Sequence, residues 1–542
     1  MRLLFFYSCI MLLFNACTEK KKADAIFYNA VVYTVDSTFS VAEAFAVADG
    51  KIIAIGSKAD ILKYDATNKI DLQGRFVYPG FADAHCHFYG YGVDLKLINL
   101  TGTQSFNAII DSLILYQDKK FSGWIFGRGW DQNDWTNKTY PDKSKLDSLF
   151  PDTPVFLMRI DGHAALVNQK ALDLAQIKND TSIIGGYFER KNNAFTGMLI
   201  DNALEIVKQK IPLPSKQAQV EALLAAQKNC FAVGLTSITD AGLDVATILL
   251  IDSLQKTNDL KIRYNAMIAY NRANAEYFYK QGKIETPMLR VSSFKLYGDG
   301  AMGSRGACML QPYSDSAHHH GFMLHPLDSF KLIANEIAAH NFQLCTHAIG
   351  DSANRHLLNL YGQATAGKNL RWRIEHAQVV DSNDFHLFDK YSIIPSVQPT
   401  HATSDMYWAE NRIGKNRLQG AYAYKKLLNS YGMVAAGSDF PVEDINPLYG
   451  FYAAVVRKDK NNFPDAGFEM QNALSRIEAL KAMTIWAAYA QFDENIKGSL
   501  EVNKLADFVV LDKDLMTAQP QLLWQLKVKQ TYIGGREVYN LP

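Results

Sequence analysis

Eight short apolar runs with the composition of β-strands recur through the middle of the chain, and helical stretches separate most of them. KQAQVEALLAAQKNCFAV before the second run and SFKLIANEIAAHN before the fifth have helical patterns. Strands that alternate with helices form parallel sheets, because parallel neighbours need a long crossover connection. Eight such units in one domain predict an α/β fold with a TIM (β/α)8 barrel. The predicted barrel strands are residues 78–87, 234–242, 262–270, 291–300, 342–351, 371–379, 392–401 and 433–441.

The two ends of the chain have a different pattern. Residues 25–78 and 495–542 consist of short apolar runs separated by glycine turns such as ADGK and LQGR, which is typical of hairpins. We therefore predict one small β-sandwich formed from both chain ends, with the barrel over residues 79–494. Residues 100–215 do not fit the barrel repeat and are predicted to be a long insertion after the first barrel strand.

The N-terminus carries one positive charge, a short apolar stretch and a small residue before Cys17. The stretch is too short to span a bilayer, so residues 1–16 are predicted to be a secretory signal. The segment LFNAC resembles a bacterial lipobox, in which the cysteine is lipidated and becomes the mature N-terminus; a plain cleaved signal is the alternative. Lipidation of Cys17 would place the protein in the bacterial cell envelope, facing the periplasm or the outside.

The net charge and the cysteine pattern limit the partners that we expect. The formal net charge of +1 gives no reason to expect nucleic acid or an acidic membrane surface as a partner. The six cysteines are scattered singly, which is neither a disulfide framework nor zinc-finger spacing. The expected partner is a small-molecule substrate, membrane contact is expected only through the lipid anchor, and a homodimer is a candidate assembly.

Polar residues of metal-ligand type stand near the ends of five predicted strands. In a TIM barrel these ends meet at one mouth and build the active site. A lone histidine is usually structural, a lysine can snorkel and an aspartate can cap a helix. Six such residues together predict a metal centre, formed by His85, His87, Lys295, His347, His376 and Asp439.

Eight longer stretches occur in order through nearly the whole chain: YPGFADAHCH, GRGWDQ, RIDGHAALVN, FKLYGDGAMGSRGACMLQPYSD, THAIGD, RIEHAQ, GSDFPV and KLADFVVLD. In these stretches the chain resembles the amidohydrolase superfamily, and in particular its YtcJ-like branch, the amidohydrolase 3 family. The resemblance implies a metal-dependent hydrolase that acts on carbon–nitrogen bonds other than peptide bonds.

The resemblance also implies roles for the ligands. His85 and His87 would hold one divalent metal with Asp439, and His347 and His376 would hold a second. Lys295 would be carboxylated to a carbamate that bridges both ions; an unmodified lysine beside a single metal is the alternative. Zinc suits imidazole and oxygen ligands, and iron, manganese and nickel remain open.

Asp439 is the expected catalytic residue, which accepts a proton from the attacking water and passes it to the leaving amine. Candidate substrate contacts are His163, Asp299 and Arg305, while strand alternation points Glu375 away from the pocket. The expected substrate is a small amide, N-acyl compound or formamide. The alternatives are an enzyme that hydrolyses a cyclic amide or an ester, an isomerase, and a lipoprotein that binds a ligand without catalysis.

Overall fold

Eight parallel strands form a barrel at the centre of the molecule. The computed structural model describes residues 21–541 except 122 and 179, so the predicted signal and Cys17 lie outside the described residues. Each barrel strand pairs in parallel with the next one along the chain, which confirms the predicted α/β barrel. The strands are β1 (Phe81–Cys86), β2 (Leu235–Leu243), β3 (Arg263–Ala269), β4 (Leu289–Tyr297), β5 (Gln343–Ala348), β6 (Arg373–His376), β7 (Ile394–Val397) and β8 (Ala435–Ala436).

The barrel closes where the short strand β8 meets β1. The N–H of Asp439 donates to the carbonyl of His85 at 2.7 Å, and the N–H of His87 donates to the carbonyl of Phe440 at 2.8 Å. Gly437 makes this approach possible, because a Cβ at that position would lie 2.4 Å from the nitrogen of His85. The seam therefore holds the loop after β8, which carries Asp439, against the end of β1.

Helices surround the barrel and share one large apolar core with it, which includes Phe88, Ile251, Phe294, Phe330 and Leu357. Burial of this apolar surface is the main force that holds helices against the strands. The helices that flank the barrel are Phe88–Asp94, Lys216–Ala232, Val245–Lys256, Arg272–Gln281, Leu327–Ala339, Asp351–Thr365, His386–Lys390, Pro399–Asp405, Ala409–Leu418, Tyr424–Tyr431, Pro447–Val456, Arg476–Ala482 and Ile485–Ala490.

Two smaller sheets lie at the ends of the chain. One is formed by Lys22–Tyr28, Ala44–Ala48, Lys51–Gly56 and Asp65–Asp71. Aromatic rings from the two sheets share a core, and the ring centroids of Phe27 and Phe508 are 4.8 Å apart. The other sheet joins both chain ends and consists of Val31–Tyr33, Val41–Ala42, Phe76–Pro79, Phe508–Leu511, Val528–Ile533 and Arg536–Asn540.

A third sheet lies in the chain between β1 and β2. The indole N–H of buried Trp130 donates to the carbonyl of Leu157 at 2.9 Å inside this unit. Its helices are Phe106–Leu115, Ser144–Leu149, Gln169–Leu174 and Asn202–Lys208. Its strands are Ile98–Asn99, Lys120–Phe121, Trp124–Trp130, Val155–Arg159, Ala164–Val167, Gly186–Lys191 and Ala194–Asp201.

Two further observations concern cysteines and membrane contact. In the described part of the chain the cysteines are free thiols, buried at Cys86, Cys230 and Cys345 and partly buried at Cys308. No helix among the described residues combines the length and the apolar character needed to cross a bilayer.

Candidate metal centre

The carboxyl ends of the barrel strands open into a cavity of about 770 Å³. Side chains of β4, β5 and β6 form part of its lining, together with the loop after β8. The insertion lines the opposite side, with His163 and Asp201 among its residues. The cavity is therefore where the predicted ligands meet.

His85, His87 and Asp439 form what we call the ligand trio. One donor atom from each of the three residues lies within 4.8 Å of the others. The Nε2 atom of His87 is 3.3 Å from Oδ1 of Asp439, and Nε2 of His85 is 3.5 Å from the same oxygen. That oxygen is buried and has no hydrogen-bond partner. A buried, unpartnered carboxylate oxygen facing two imidazoles fits a divalent cation.

Lys295, His347 and His376 lie beside the trio, and we call them the lysine–histidine group. The ring centroids of His347 and His376 are 4.6 Å apart, and Nζ of Lys295 is 3.1 Å from Nε2 of His85. Among the residues that the structure describes, only the trio brings three ligand atoms within reach of one ion. The structure thus brings all six predicted residues to the same end of the barrel. The donor atoms of three of them, His85, His87 and Asp439, converge on one position that a metal ion could occupy.

Hydrogen bonds to the far side of two rings fix their orientation. Nδ1 of His85 lies 2.5 Å from Oε2 of Glu375, and Nδ1 of His376 lies 2.7 Å from Oε1 of Gln398. Each contact leaves the Nε2 atom directed to the site, as in many metal centres. Glu375 does not line the cavity, whereas its neighbour His376 does, which agrees with strand alternation; its carboxylate instead contacts the far side of the His85 ring.

Electrostatics keep the histidines in the form that metals bind. Burial, together with the charge of Lys295, lowers the pKa of His85 to about 4. Burial also lowers the pKa values of His347 and His376 well below the usual range. Neutral imidazole is the metal-binding form. Burial alone would raise the pKa of Asp439, but the neighbouring histidines, first among them His87, hold it well below its usual value.

The three predicted substrate contacts lie in different settings. His163 lines the cavity, its Nδ1 lies 2.7 Å from Oδ1 of Asp201, and its ring centroid is 4.8 Å from that of His347. The structure does not bring the other two to the cavity wall. Asp299 is buried and accepts three backbone N–H groups, while Arg305 pairs with Asp315 at 2.8 Å.

Sequence reasoning missed one histidine of the site. His401 lines the cavity on the helix after β7, and its ring stacks on that of His376 with centroids 6.0 Å apart. The signal was available, because this histidine ends the seventh predicted strand run. A histidine at a barrel-strand end is the same feature that identified His347 and His376.

The parallel barrel carries at its mouth a histidine–aspartate ligand set that fits a divalent metal. The Amidohydrolase family model matches residues 69–539, and the chain belongs to this family. The chain is similar to YtcJ of Bacillus subtilis (strain 168), which is named as an amidohydrolase. The two sequences are 30% identical over 527 residues, which cover 95% of this chain and 99% of YtcJ. The resemblance to the YtcJ-like branch is confirmed.

Two more distant proteins are similar to this chain over most of its length. The N-substituted formamide deformylase of Arthrobacter pascens is 24% identical over 549 residues, which cover 94% of this chain and 97% of that enzyme. The crystal structure of an uncharacterized metal-dependent hydrolase from Pyrococcus horikoshii superposes with a TM-score of 0.76 at 24% identity. The superposition covers 92% of this chain and 99% of the other, and it supports the fold.

Proposed function

We propose that the protein hydrolyses a carbon–nitrogen bond of a small amide, N-acyl compound or formamide. The observation that carries this proposal is the ligand trio, in which a buried, unpartnered carboxylate oxygen faces two imidazoles. Membership of the amidohydrolase family supports the reaction class. The formamide substrate is that of the Arthrobacter pascens relative and extends to this chain as part of the proposal.

The residues of the site divide the work of such a reaction. A divalent metal held by the trio would lower the pKa of a water molecule and polarise the scissile carbonyl. Asp439 takes the proton of the attacking water and delivers it to the departing nitrogen. Glu375 and Gln398 keep His85 and His376 in one orientation throughout.

The proposal includes zinc as the metal and a carbamate on Lys295. Imidazole and carboxylate donors suit zinc, although other first-row metals use the same donors. Lys295 is 2% exposed and its Nζ lies against His85. An ammonium there would repel a bound cation, whereas a carbamate is anionic and offers two oxygens. Burial lowers the pKa of Lys295 to about 8, which agrees with such a modification.

We also propose the remaining sequence-based assignments. Residues 1–16 serve as a signal, Cys17 is the lipidated residue, and the mature enzyme works in the cell envelope. These assignments rest on the charge, the apolar stretch and the LFNAC segment of the N-terminus. The division into a β-sandwich domain from both chain ends and a barrel domain with an insertion, and the homodimer, belong to the same set of proposals.

The test combines metal content with turnover. Protein without residues 1–16 is produced with zinc and bicarbonate, its metal content is measured by plasma mass spectrometry, and a panel of formamides and N-acyl amines is screened. We expect bound zinc and hydrolysis of at least one panel member, and both should disappear after removal of the metal by a chelator. A well-folded protein that binds no metal would overturn the proposed reaction.

A further inference from the structure

The cavity continues from the ligand trio along a wall of carboxylates. Asp131, Asp161, Asp405 and Glu443 line it, and we call these four the acidic wall. They come from the insertion, the helix after β7 and the loop after β8. Arg159 pairs with Asp131 and with Asp161 and is fully buried. One guanidinium therefore stands against four carboxyl groups.

Asp405 and Glu443 receive only neutral donors. The hydroxyl of Tyr422 donates to Asp405 at 2.8 Å, and the amide of Gln378 donates at 3.2 Å. The hydroxyl of Ser404 donates to Glu443 at 2.6 Å. Among the described residues, neither carboxylate forms an ion pair with a lysine or an arginine. Two carboxyl groups in one cavity thus lack a cation.

The electrostatics of the wall agree with this geometry. Burial, with a smaller contribution from Asp131, raises the pKa of Asp405 to about 7. Burial, with contributions from Asp405 and Asp439, raises the pKa of Glu443 to about 8. Like charges disfavour the ionised form of each group, and a bound cation would reverse that effect.

An independent observation points to a ligand at the same place. His401 is 8% exposed, and its Nε2 atom is buried without a hydrogen-bond partner. That atom lies 3.8 Å from Oδ2 of Asp439 and 3.9 Å from Oε1 of Glu443, too far for a hydrogen bond to either. Buried polar atoms are nearly always paired. A ligand between the trio and the acidic wall would give His401 its missing partner.

The lack of a converging ligand set in the acidic wall argues for an organic cation. In the described part of the chain the only converging ligand set is His85, His87 and Asp439, so the carboxylates of the wall do not converge on a metal position. An ammonium group carries three donors that can reach separate acceptors. Hydrogen bonds from a charged donor to carboxylates are about twice as strong as neutral ones.

We propose that the acidic wall binds a protonated amino group of the substrate, which donates to Glu443, to Asp405 and to the unpartnered Nε2 atom of His401. The substrate class is then a small amide or formamide that carries a second, cationic amine. This inference rests on the proposed function, because it assumes that the scissile group lies at the ligand trio.

The test is direct binding by isothermal titration calorimetry to the zinc-loaded protein. The two probes are N-acetylputrescine, which carries the cation, and its uncharged isostere N-pentylacetamide. We expect wild type to bind the cationic probe roughly tenfold more tightly or better, the effect of one charged hydrogen bond. The double variant Glu443→Gln with Asp405→Asn should lose this preference and keep its affinity for N-pentylacetamide, which also shows that it is folded.

The matched control is Glu410→Gln, which neutralises an exposed carboxylate outside the cavity and should retain the wild-type preference. Equal affinities in wild type, absent binding of both probes, or a preference that survives the double variant would each overturn the cation site. Binding requires no turnover. A preference without hydrolysis of any amide would refute the proposed reaction alone, and hydrolysis without a preference would refute the cation site alone.

Discussion

The ligand trio and the lysine–histidine group stand side by side, yet they differ in how far the protein alone completes them. In the trio, an aspartate already faces two imidazoles within 3.5 Å. In the other group, the two histidine rings are close, but the third member is a lysine that lies against His85. The comparison teaches that the folded chain completes the first site with its own side chains, whereas the proposed second site would need an anionic ligand, which Lys295 would provide only after the proposed modification.

The largest expected effect comes from Asp439→Asn, which removes the charge of the trio with little change in shape. On a substrate identified in the screen, turnover should fall by roughly 10³-fold, since a proton-transfer group of this kind contributes about that much. Steady-state kinetics measures the loss, and metal analysis measures the weaker ion binding. Asp444→Asn, at an exposed carboxylate of the same loop, is the control. Wild-type turnover in Asp439→Asn would remove Asp439 from the proposed mechanism.

The second prediction separates the two groups directly. Lys295→Ala should lower bound metal from about two ions per chain to about one, because the bridging ligand of a two-metal site is lost while the trio is intact. Plasma mass spectrometry of protein grown with bicarbonate provides the count. Lys256→Ala changes an exposed lysine and should leave the count unchanged. One ion in both wild type and Lys295→Ala would favour a mononuclear site and an unmodified lysine.

A smaller effect is expected from the residue that orients His85. Glu375→Gln weakens the contact that directs Nε2 of His85 to the trio, and loss of such a partner lowers metal affinity by roughly 10- to 100-fold. Gln398→Leu is the parallel change beside His376 and should spare the affinity of the trio. Zinc competition titrations give both values. Equal losses in the two variants would show that the two groups bind as one unit.

The smallest effect concerns the seam that positions the trio. Gly437→Ala places a Cβ against the backbone of His85 and should lower the free energy of unfolding by about 1–3 kcal/mol, a typical cost of overpacking. Gly450→Ala is the control, because its Cβ meets nothing within 4 Å; in a helix it should stabilise by about 0.5–1 kcal/mol. Denaturant titration measures both changes. An unaffected Gly437→Ala protein would mean that the seam can relax.

The barrel strands could be predicted from sequence because each is a short apolar run bounded by helical stretches or turns. The gathering of the six ligand-type residues followed from one rule, that side chains at the carboxyl ends of barrel strands meet. Both inferences use only local pattern and the symmetry of the fold, so they need no knowledge of long-range contacts.

The remaining features depend on backbone geometry that a pattern does not reveal. The contact between Glu375 and the ring of His85 joins residues that are 290 positions apart in the chain. Asp299 stands in a glycine-rich loop that suggests ligand contact, yet its carboxylate holds three backbone N–H groups of its own fold. Neither feature has a local signal, because the partners come from other parts of the chain.

The seam between β1 and β8 has a consequence for the order in which the molecule is assembled. The carboxylate of Asp83 accepts hydrogen bonds from Ser438, 355 residues further along the chain. Contacts of such long sequence separation form late, since a large loop must close first. A growing chain therefore has no complete trio until residue 439 of its 542 residues has been synthesised, and zinc uptake by the trio would report that the barrel has closed.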